Sequence, residues 1–213
     1  MALNMALSLL IAYLIGGIPF GFLVGKLYGV DIRSVGSGNI GATNVWRTLG
    51  PVAGLAVLLL DIAKGYVPAE FAAAAFRMTN AGMPHADWPL VLGLAAILGH
   101  VASPFLRFRG GKAVATSLGV MIALTPVVAA LSFGAFLACL LLSRYVSLSS
   151  LVGAMTAAVS VQWLSDSVSI RVVYVLVALL LVGRHRANLR RLARGEEPRF
   201  QFSKKKGKGE ESR

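Results

Sequence analysis

Long apolar runs, interrupted by short clusters of glycine, proline and charge, dominate this chain. Their spacing predicts seven helices, at about 5–28, 51–76, 88–107, 113–124, 127–143, 149–165 and 168–184. A helix needs about 17–25 mostly apolar residues to cross a hydrocarbon core, and each of these segments but 113–124 reaches that length. Residues 113–143 admit a second reading, one long tilted helix. Thr125-Pro126 argues against it, because a residue before proline is pushed out of the α region. Two short helices would need their break buried inside the bundle, since unpaired backbone groups are not tolerated against lipid.

Composition settles the class. Of 213 residues, 56% are hydrophobic and only 14% charged, where a soluble domain carries about 25% charged residues. Mean hydropathy is +0.72. So few ionised groups cannot cover a soluble surface of this size, so the expected fold is an all-α integral membrane protein, a polytopic bundle. The N-terminal run has no Lys or Arg before Lys26 and continues too far for a secretory leader, so it is expected to remain as the first span.

Charge sets the expected topology. The net charge is +12, and after Gly183 eleven Lys/Arg face four Glu. With seven spans and the N-terminus outside, Lys26, Arg33, Arg47, Arg107, Arg109, Lys112, Arg144 and the basic tail all lie inside, leaving Arg77 and Arg171 with Asp87 and Asp166 outside. Six spans would put Arg144 outside and separate the tail from the first basic loops, so the positive-inside bias favours seven, with a cytoplasmic C-terminus. The basic character is therefore read as loops beside anionic lipid rather than as a nucleic-acid surface. Residues 1–199 form one expected domain; the tail over 200–213, with Lys204-Lys205-Lys206-Gly207-Lys208, is expected to be disordered and membrane-facing. Cys139 is the only cysteine and packs as a small apolar residue; no His, Cys or Asp cluster has metal-ligand spacing, so neither metal nor cofactor is expected.

Four polar segments exceed what a membrane fold needs, and all fall on the predicted inner face. The first, Ser34 to Arg47, holds Gly36, Gly38 and Gly41, which let the backbone turn its amides toward an anion. Ser37, Asn39, Thr43 and Asn44 add neutral donors, and Arg47 a planar cation suited to phosphate. The second, Arg107-Phe108-Arg109-Gly110-Gly111-Lys112, leads into a helix and is expected to present free amides with Lys112 in the first turn. It is not a Walker A loop, which disfavours nucleotide. The third, Arg144 to Ser150, carries hydroxyls at a helix start, where ordinary capping is explanation enough for the segment taken alone. The fourth, His185 to Glu197, repeats His185, Asn188, Leu189 and Leu192 at helical spacing, so the seventh helix is expected to run on past the membrane face. Within the spans, Asp61 and Lys64 at i,i+3 read first as a structural ion pair, and His100 as a ring bonded to a loop carbonyl.

Taken together, these segments resemble one family, the bacterial acyl-phosphate:glycerol-3-phosphate acyltransferases (PlsY). The resemblance rests on Ser37-Gly38-Asn39 with Gly41, Thr43, Asn44 and Arg47; on Gly99-His100 through Pro104, Phe108 and Gly110-Gly111-Lys112; and on His185 with Asn188, Arg191, Leu192, Gly195 and Glu197. Asp61 with Lys64-Gly65, and Arg144 with Ser147 and Ser150, match as well, so the likeness runs from Ile15 to Glu197. It implies a seven-spanning fold with its motifs on the cytoplasmic side of the bacterial inner membrane. The implied reaction moves a fatty acyl group from acyl-phosphate to the 1-hydroxyl of sn-glycerol 3-phosphate, giving lysophosphatidic acid and phosphate, the first acylation of phospholipid synthesis. The candidate catalytic residues are then Ser37, Asn39, Lys112, His185 and Asn188. Gly38, Gly41, Thr43, Arg47, Gly110, Gly111 and Ser150 would bind phosphate, with Asp61, Lys64, His100, Arg144 and Glu197 in support. The implied partners are the two substrates and membrane lipid, with the oligomeric state left open.

That chemistry needs two anion sites side by side, a groove for the acyl chain and donors aimed at the carbonyl oxyanion. His185 is one candidate base; the resemblance favours a substrate phosphate as proton acceptor instead. The HxxxxD spacing of other glycerophosphate acyltransferases is missing: Phe105 follows His100 by five residues and Arg190 follows His185. Two rivals remain, an organic-phosphate transporter and a structural lipid-binding subunit. A transporter predicts polar groups through both membrane halves, where here they crowd one face; a structural subunit leaves the four polar segments unexplained.

Overall fold

A computed structural model describes residues 2–79 and 87–201. The described residues form helices α1 (Ala2–Gly17), α2 (Phe20–Leu27), α3 (Ala42–Leu49), α4 (Pro51–Thr79), α5 (Trp88–Val101), α6 (Val114–Leu124), α7 (Pro126–Ser143), α8 (Val146–Leu164), α9 (Val168–Arg184) and α10 (Arg186–Ala193), with no strand among them. Four of these, α4, α5 with its following turn, α7 and α8, are each long and apolar enough to cross a membrane. The bent pairs α1–α2 and α9–α10 meet the same test together. Large apolar side chains stand on the outside, among them Leu142 at 89%, Trp163 at 77% and Phe71 at 77% exposure. Such a surface is stable only in lipid, so this is a multi-pass membrane protein.

Every predicted apolar segment is helical, with corrections at the boundaries. The first, expected over 5–28, breaks at Ile18-Pro19 and bends by 42°, because proline supplies no amide and restrains the residue before it. The third stops at Val101, and a short 3-10 turn, Pro104–Leu106, follows it. Of the two readings of 113–143, the structure takes two helices, α6 and α7, meeting at Thr125-Pro126; the Thr125 amide donates to Met121 O at 2.8 Å and its carbonyl accepts from the Ala129 amide at 3.0 Å, so the backbone at the break is paired rather than bare. The seventh helix does not run on: it turns by 58° at His185 into α10. The polar stretch after Ile40 is also not all loop, since α3 occupies Ala42–Leu49.

Small residues let the helices approach closely, as expected where lipid offers no hydrophobic drive to association. A side chain at Gly65 would run into the Thr116 backbone and one at Gly119 into the Ile62 carbonyl, which places α4 and α6 in direct backbone contact. Gly16 and Gly99 do the same for α1 and α5. The first polar segment is itself pinned from below: Ile32, Ile40 and Val45 are buried in one cluster with Ala53 and Val57 of α4 and with Leu106.

The tail differs from expectation at its start. Phe200 is tied down, its amide donating to the Arg144 carbonyl and its ring 5.3 Å from that of Trp46. The lysine cluster 204–208 lies outside the described residues, as does most of the 77–87 loop.

Candidate active site

Ser34 to Gly41 is shaped by one buried amide. Asn44, in the first turn of α3, accepts from the Ser37 amide (3.0 Å) and donates to the carbonyls of Ile32 and Val35 (3.1 Å each). Gly36 and Gly38 take φ 59° and 67°, and Asn44 Oδ1 sits where a side chain on Gly36 would go; only glycine adopts that backbone cheaply. Asn39 Oδ1 accepts from the Gly41 amide at 2.8 Å. The result is a rigid turn that presents Ser37 and Asn39 outward.

The second segment is built differently from the free-amide cradle predicted for it. The Gly110 amide donates to Val101 O and the Gly111 amide to His100 O, both at 3.1 Å. Both glycines are needed for close approach, since any side chain there would strike the His100 backbone or ring. Arg184 clamps their carbonyls from the far side, with bonds of 3.0–3.2 Å. Lys112 therefore lies just before α6 rather than in its first turn, with Ala113 turned left-handed at the N-cap. The His100 ring faces the Thr116 hydroxyl at 3.3 Å and Asp61 at 3.9 Å rather than a loop carbonyl. Asp61 and Lys64 form a buried ion pair at 2.6 Å, and Lys64 also donates to Ile18 O, capping the broken end of α1.

The fourth segment carries a continuous network. Lys112 Nζ donates to Asn188 Oδ1, and Asn188 Nδ2 donates to Glu197 at 2.7 Å. Glu197 also accepts from the Ser147 hydroxyl and from Arg191 Nε, each at 2.7 Å. Pro198 O accepts from Arg47. The chain after α10 thus straps α3, α8 and α10 together beside Lys112.

These groups converge on one cavity of about 530 Å³. Ser37, Asn39, Gly41, Thr43, Arg47, Lys112, His185, Asn188, Ser150, Glu197, Asp61 and His100 all line it. Gly38 and Gly110 line instead a more open cavity of about 820 Å³ that shares Ser37 and Asn39 as a common wall. Gly111, Lys64 and Arg144 line neither; Arg144 is exposed and holds Phe200 through its carbonyl. The Ser150 hydroxyl bonds back to Val146 O. Arg191 and Ser147 also reach the cavity. Arg184 does its work behind it; its sequence signal was its place next to His185 in the basic run.

The electrostatics follow from burial among cations. Burial, reinforced by Arg191, Arg184 and Arg47 against the opposing pull of Glu197, brings Lys112 down to about 8. Burial and then the Lys112 charge bring His185 down to about 4. Its Nδ1 is 2.8 Å from Leu181 O, and since a carbonyl only accepts, Nδ1 carries the proton in the neutral ring. Burial pushes Glu197 up, but bonds from Asn188, Ser147 and Arg191 outweigh it and hold the carboxyl below its ordinary value. The cavity thus holds a neutral imidazole and an excess of fixed cations, an arrangement suited to dianions.

A family model described as glycerol-3-phosphate acyltransferase matches residues 6–195. The chain belongs to that family. It is similar to the glycerol-3-phosphate acyltransferases of Geobacillus kaustophilus (44% identical, covering 94% of this chain and 98% of the relative) and Desulforudis audaxviator (46%, 95% and 99%). Among solved structures it resembles PlsY, an integral membrane glycerol 3-phosphate acyltransferase. The glycerol 3-phosphate form superimposes with a TM-score of 0.86 at 40% identity, over 93% of this chain and 96% of that one. The lysophosphatidic acid form gives 0.83 at 39% identity, with the same coverage. Membership of this acyltransferase family agrees with the resemblance carried by the polar motifs.

Proposed function

We propose that this protein transfers a fatty acyl group from acyl-phosphate to the 1-hydroxyl of sn-glycerol 3-phosphate, releasing lysophosphatidic acid and phosphate as the first acylation of phospholipid synthesis. The observation that carries the reading is the single cavity in which Ser37, Asn39 and Arg47 meet Lys112, His185 and Asn188. Its other end, lined by Leu118, Met121, Phe133 and Phe136, suits an acyl chain. Lys112, Arg47 and Asn188 bind the glycerol phosphate, with Ser150 and Thr43 beside them. Ser37 and Asn39, on the turn shaped by Gly38 and Gly41, hold the acyl-phosphate and donate to the carbonyl oxygen as it becomes an oxyanion. Gly110 and Gly111 act by holding the His100 backbone and placing Lys112. Asp61, Lys64, His100, Arg144 and Glu197 position the loops.

The 1-hydroxyl oxygen attacks the acyl carbonyl carbon, an ester C–O bond forms, and the bond to the phosphate oxygen breaks with its electron pair leaving on phosphate. The hydroxyl proton goes to a substrate phosphate. A histidine at about 4 is a poor acceptor near neutrality, whereas a phosphate monoester titrates at about 6. His185 serves instead as a neutral hydrogen-bonding group.

The reading includes seven spans, an outside N-terminus, a cytoplasmic site and tail in the bacterial inner membrane, and one acyltransferase domain over 1–199. Supporting the orientation, the basic loops, α3 and α10 all gather at the cavity end. The shortest of the seven is α6, whose 11 residues advance about 16 Å, roughly half the hydrocarbon core.

The test is turnover by purified protein in detergent, given acyl-phosphate and glycerol 3-phosphate, with release of free phosphate followed. Turnover is expected with acyl-phosphate and none with acyl-CoA. No turnover by protein that remains folded overturns the assignment and favours the transporter.

A further inference from the structure

Met121 ends the apolar arm of the reaction cavity and, with Ser117, Ala154 and Leu181, forms the partition to a second void. The lining reaches as far as Met121 along α6, Ser132 along α7 and Ala154 along α8. Along α6 the lining runs from Val114 to Met121, about 10 Å below the polar mouth. Behind Met121 lies an almost wholly apolar void of about 30 Å³, between α5, α6, α8 and α9. Met121 touches both spaces. Of the four it is the longest and most flexible, unbranched with three rotatable bonds, so it changes shape most readily without moving a backbone. On the lipid side the arm is walled by Phe133 and Phe136, stacked at 6.1 Å on α7.

We infer that Met121 is the floor that sets how long an acyl chain the cavity accepts, the void behind it being the space a longer chain enters when that side chain moves or shrinks. The inference rests on the acyltransferase reading above and adds its chain-length determinant. A saturated chain enters from the polar mouth, lies along Leu118 and ends against Met121. A chain one or two methylenes too long must displace that thioether, and selectivity per methylene in an apolar pocket is roughly tenfold or more.

The experiment measures kcat/KM for a graded series of saturated acyl-phosphates with the purified wild-type protein, Met121→Ala and Met121→Phe. Met121→Ala is expected to move the preference toward longer chains and Met121→Phe toward shorter ones, each changing the ratio between a long and a short donor by roughly tenfold. The opposed pair guards against one variant folding poorly, since either alone still carries a signed shift. Identical profiles in wild type and both variants overturn the inference. So does extension of the profile by Phe133→Ala but not by Met121→Ala, because the chain then leaves sideways into lipid. Wild-type protein that turns over no acyl-phosphate at all removes the underlying function, and this inference with it, a result distinct from an unmoved profile.

Discussion

Removing Glu197 tests the network that holds Lys112. Its carboxylate accepts three bonds of 2.7 Å, from Ser147, Asn188 and Arg191. In Glu197→Ala two of those donors are stranded in buried positions (Ser147 at 4% and Asn188 at 7% exposure), at about 1–3 kcal/mol each. Arg191 is about a third exposed and regains water, so its loss adds little. The expected destabilisation is about 2–6 kcal/mol, equivalent to a fall in Tm of at least about 4 °C for a chain of this size. A second effect separates this from a generic packing defect. The Glu197 charge raises Lys112 against burial and the neighbouring arginines. Glu197→Gln keeps the shape and removes the charge, so Lys112 drops below about 8. Lysine binds phosphate only while protonated, so the alkaline limb of kcat/KM for glycerol 3-phosphate moves to lower pH. Thermal unfolding in detergent and a pH–rate profile read the two effects. An unshifted alkaline limb in Glu197→Gln, with an unchanged melt in Glu197→Ala, refutes the idea that this carboxylate organises Lys112.

Lys112→Ala and Asn39→Ala are each expected to lower turnover about a hundredfold or more while circular dichroism and gel filtration remain those of wild type; near-normal rates in either variant count against the two-anion cavity. In wild type, kcat/KM for glycerol 3-phosphate should fall as pH rises through about 8, where Lys112 loses its charge, and show no loss between pH 5 and 7 attributable to His185 titrating, because that ring is already neutral there. A limb near 6 that Glu197→Gln leaves in place and His185→Gln removes would show that the imidazole does titrate in that range. Ser117→Ala, which deletes a buried hydroxyl with no hydrogen-bond partner, should raise stability by about 1 kcal/mol, seen as a higher Tm; a lower one means the hydroxyl has a use. Gly119→Val, which drives a side chain into the Ile62 carbonyl, should cost about 1–3 kcal/mol or more and yield aggregated protein in detergent; a monodisperse product argues against the α4–α6 backbone contact.

The membrane class and the positions of the apolar helices were legible in the residue order because they depend on local quantities, run length and charge deficit. Val168–Arg184 falls where the apolar run does, and Thr125-Pro126 divides α6 from α7, as the bias of the residue before proline dictates. The polar motifs were legible as a set because glycines, amides and cations have little reason to recur beside a bilayer. Their joinery was not legible. That Gly110 and Gly111 spend their amides on His100 and Val101, that Arg184 clamps them, and that Asn44 closes the first turn depend on contacts between distant residues. Hydrophobic pattern also missed α3, whose short run is held by packing of Val45 on α4. The bend at His185 and the strap from Glu197 to Phe200 likewise arise only after α8, α9 and α10 have packed. Residue order therefore determined which chemical groups stand at the membrane face; tertiary packing decided which became hydrogen-bonded scaffold and which faced the cavity, because burial and partner geometry belong to the assembled bundle.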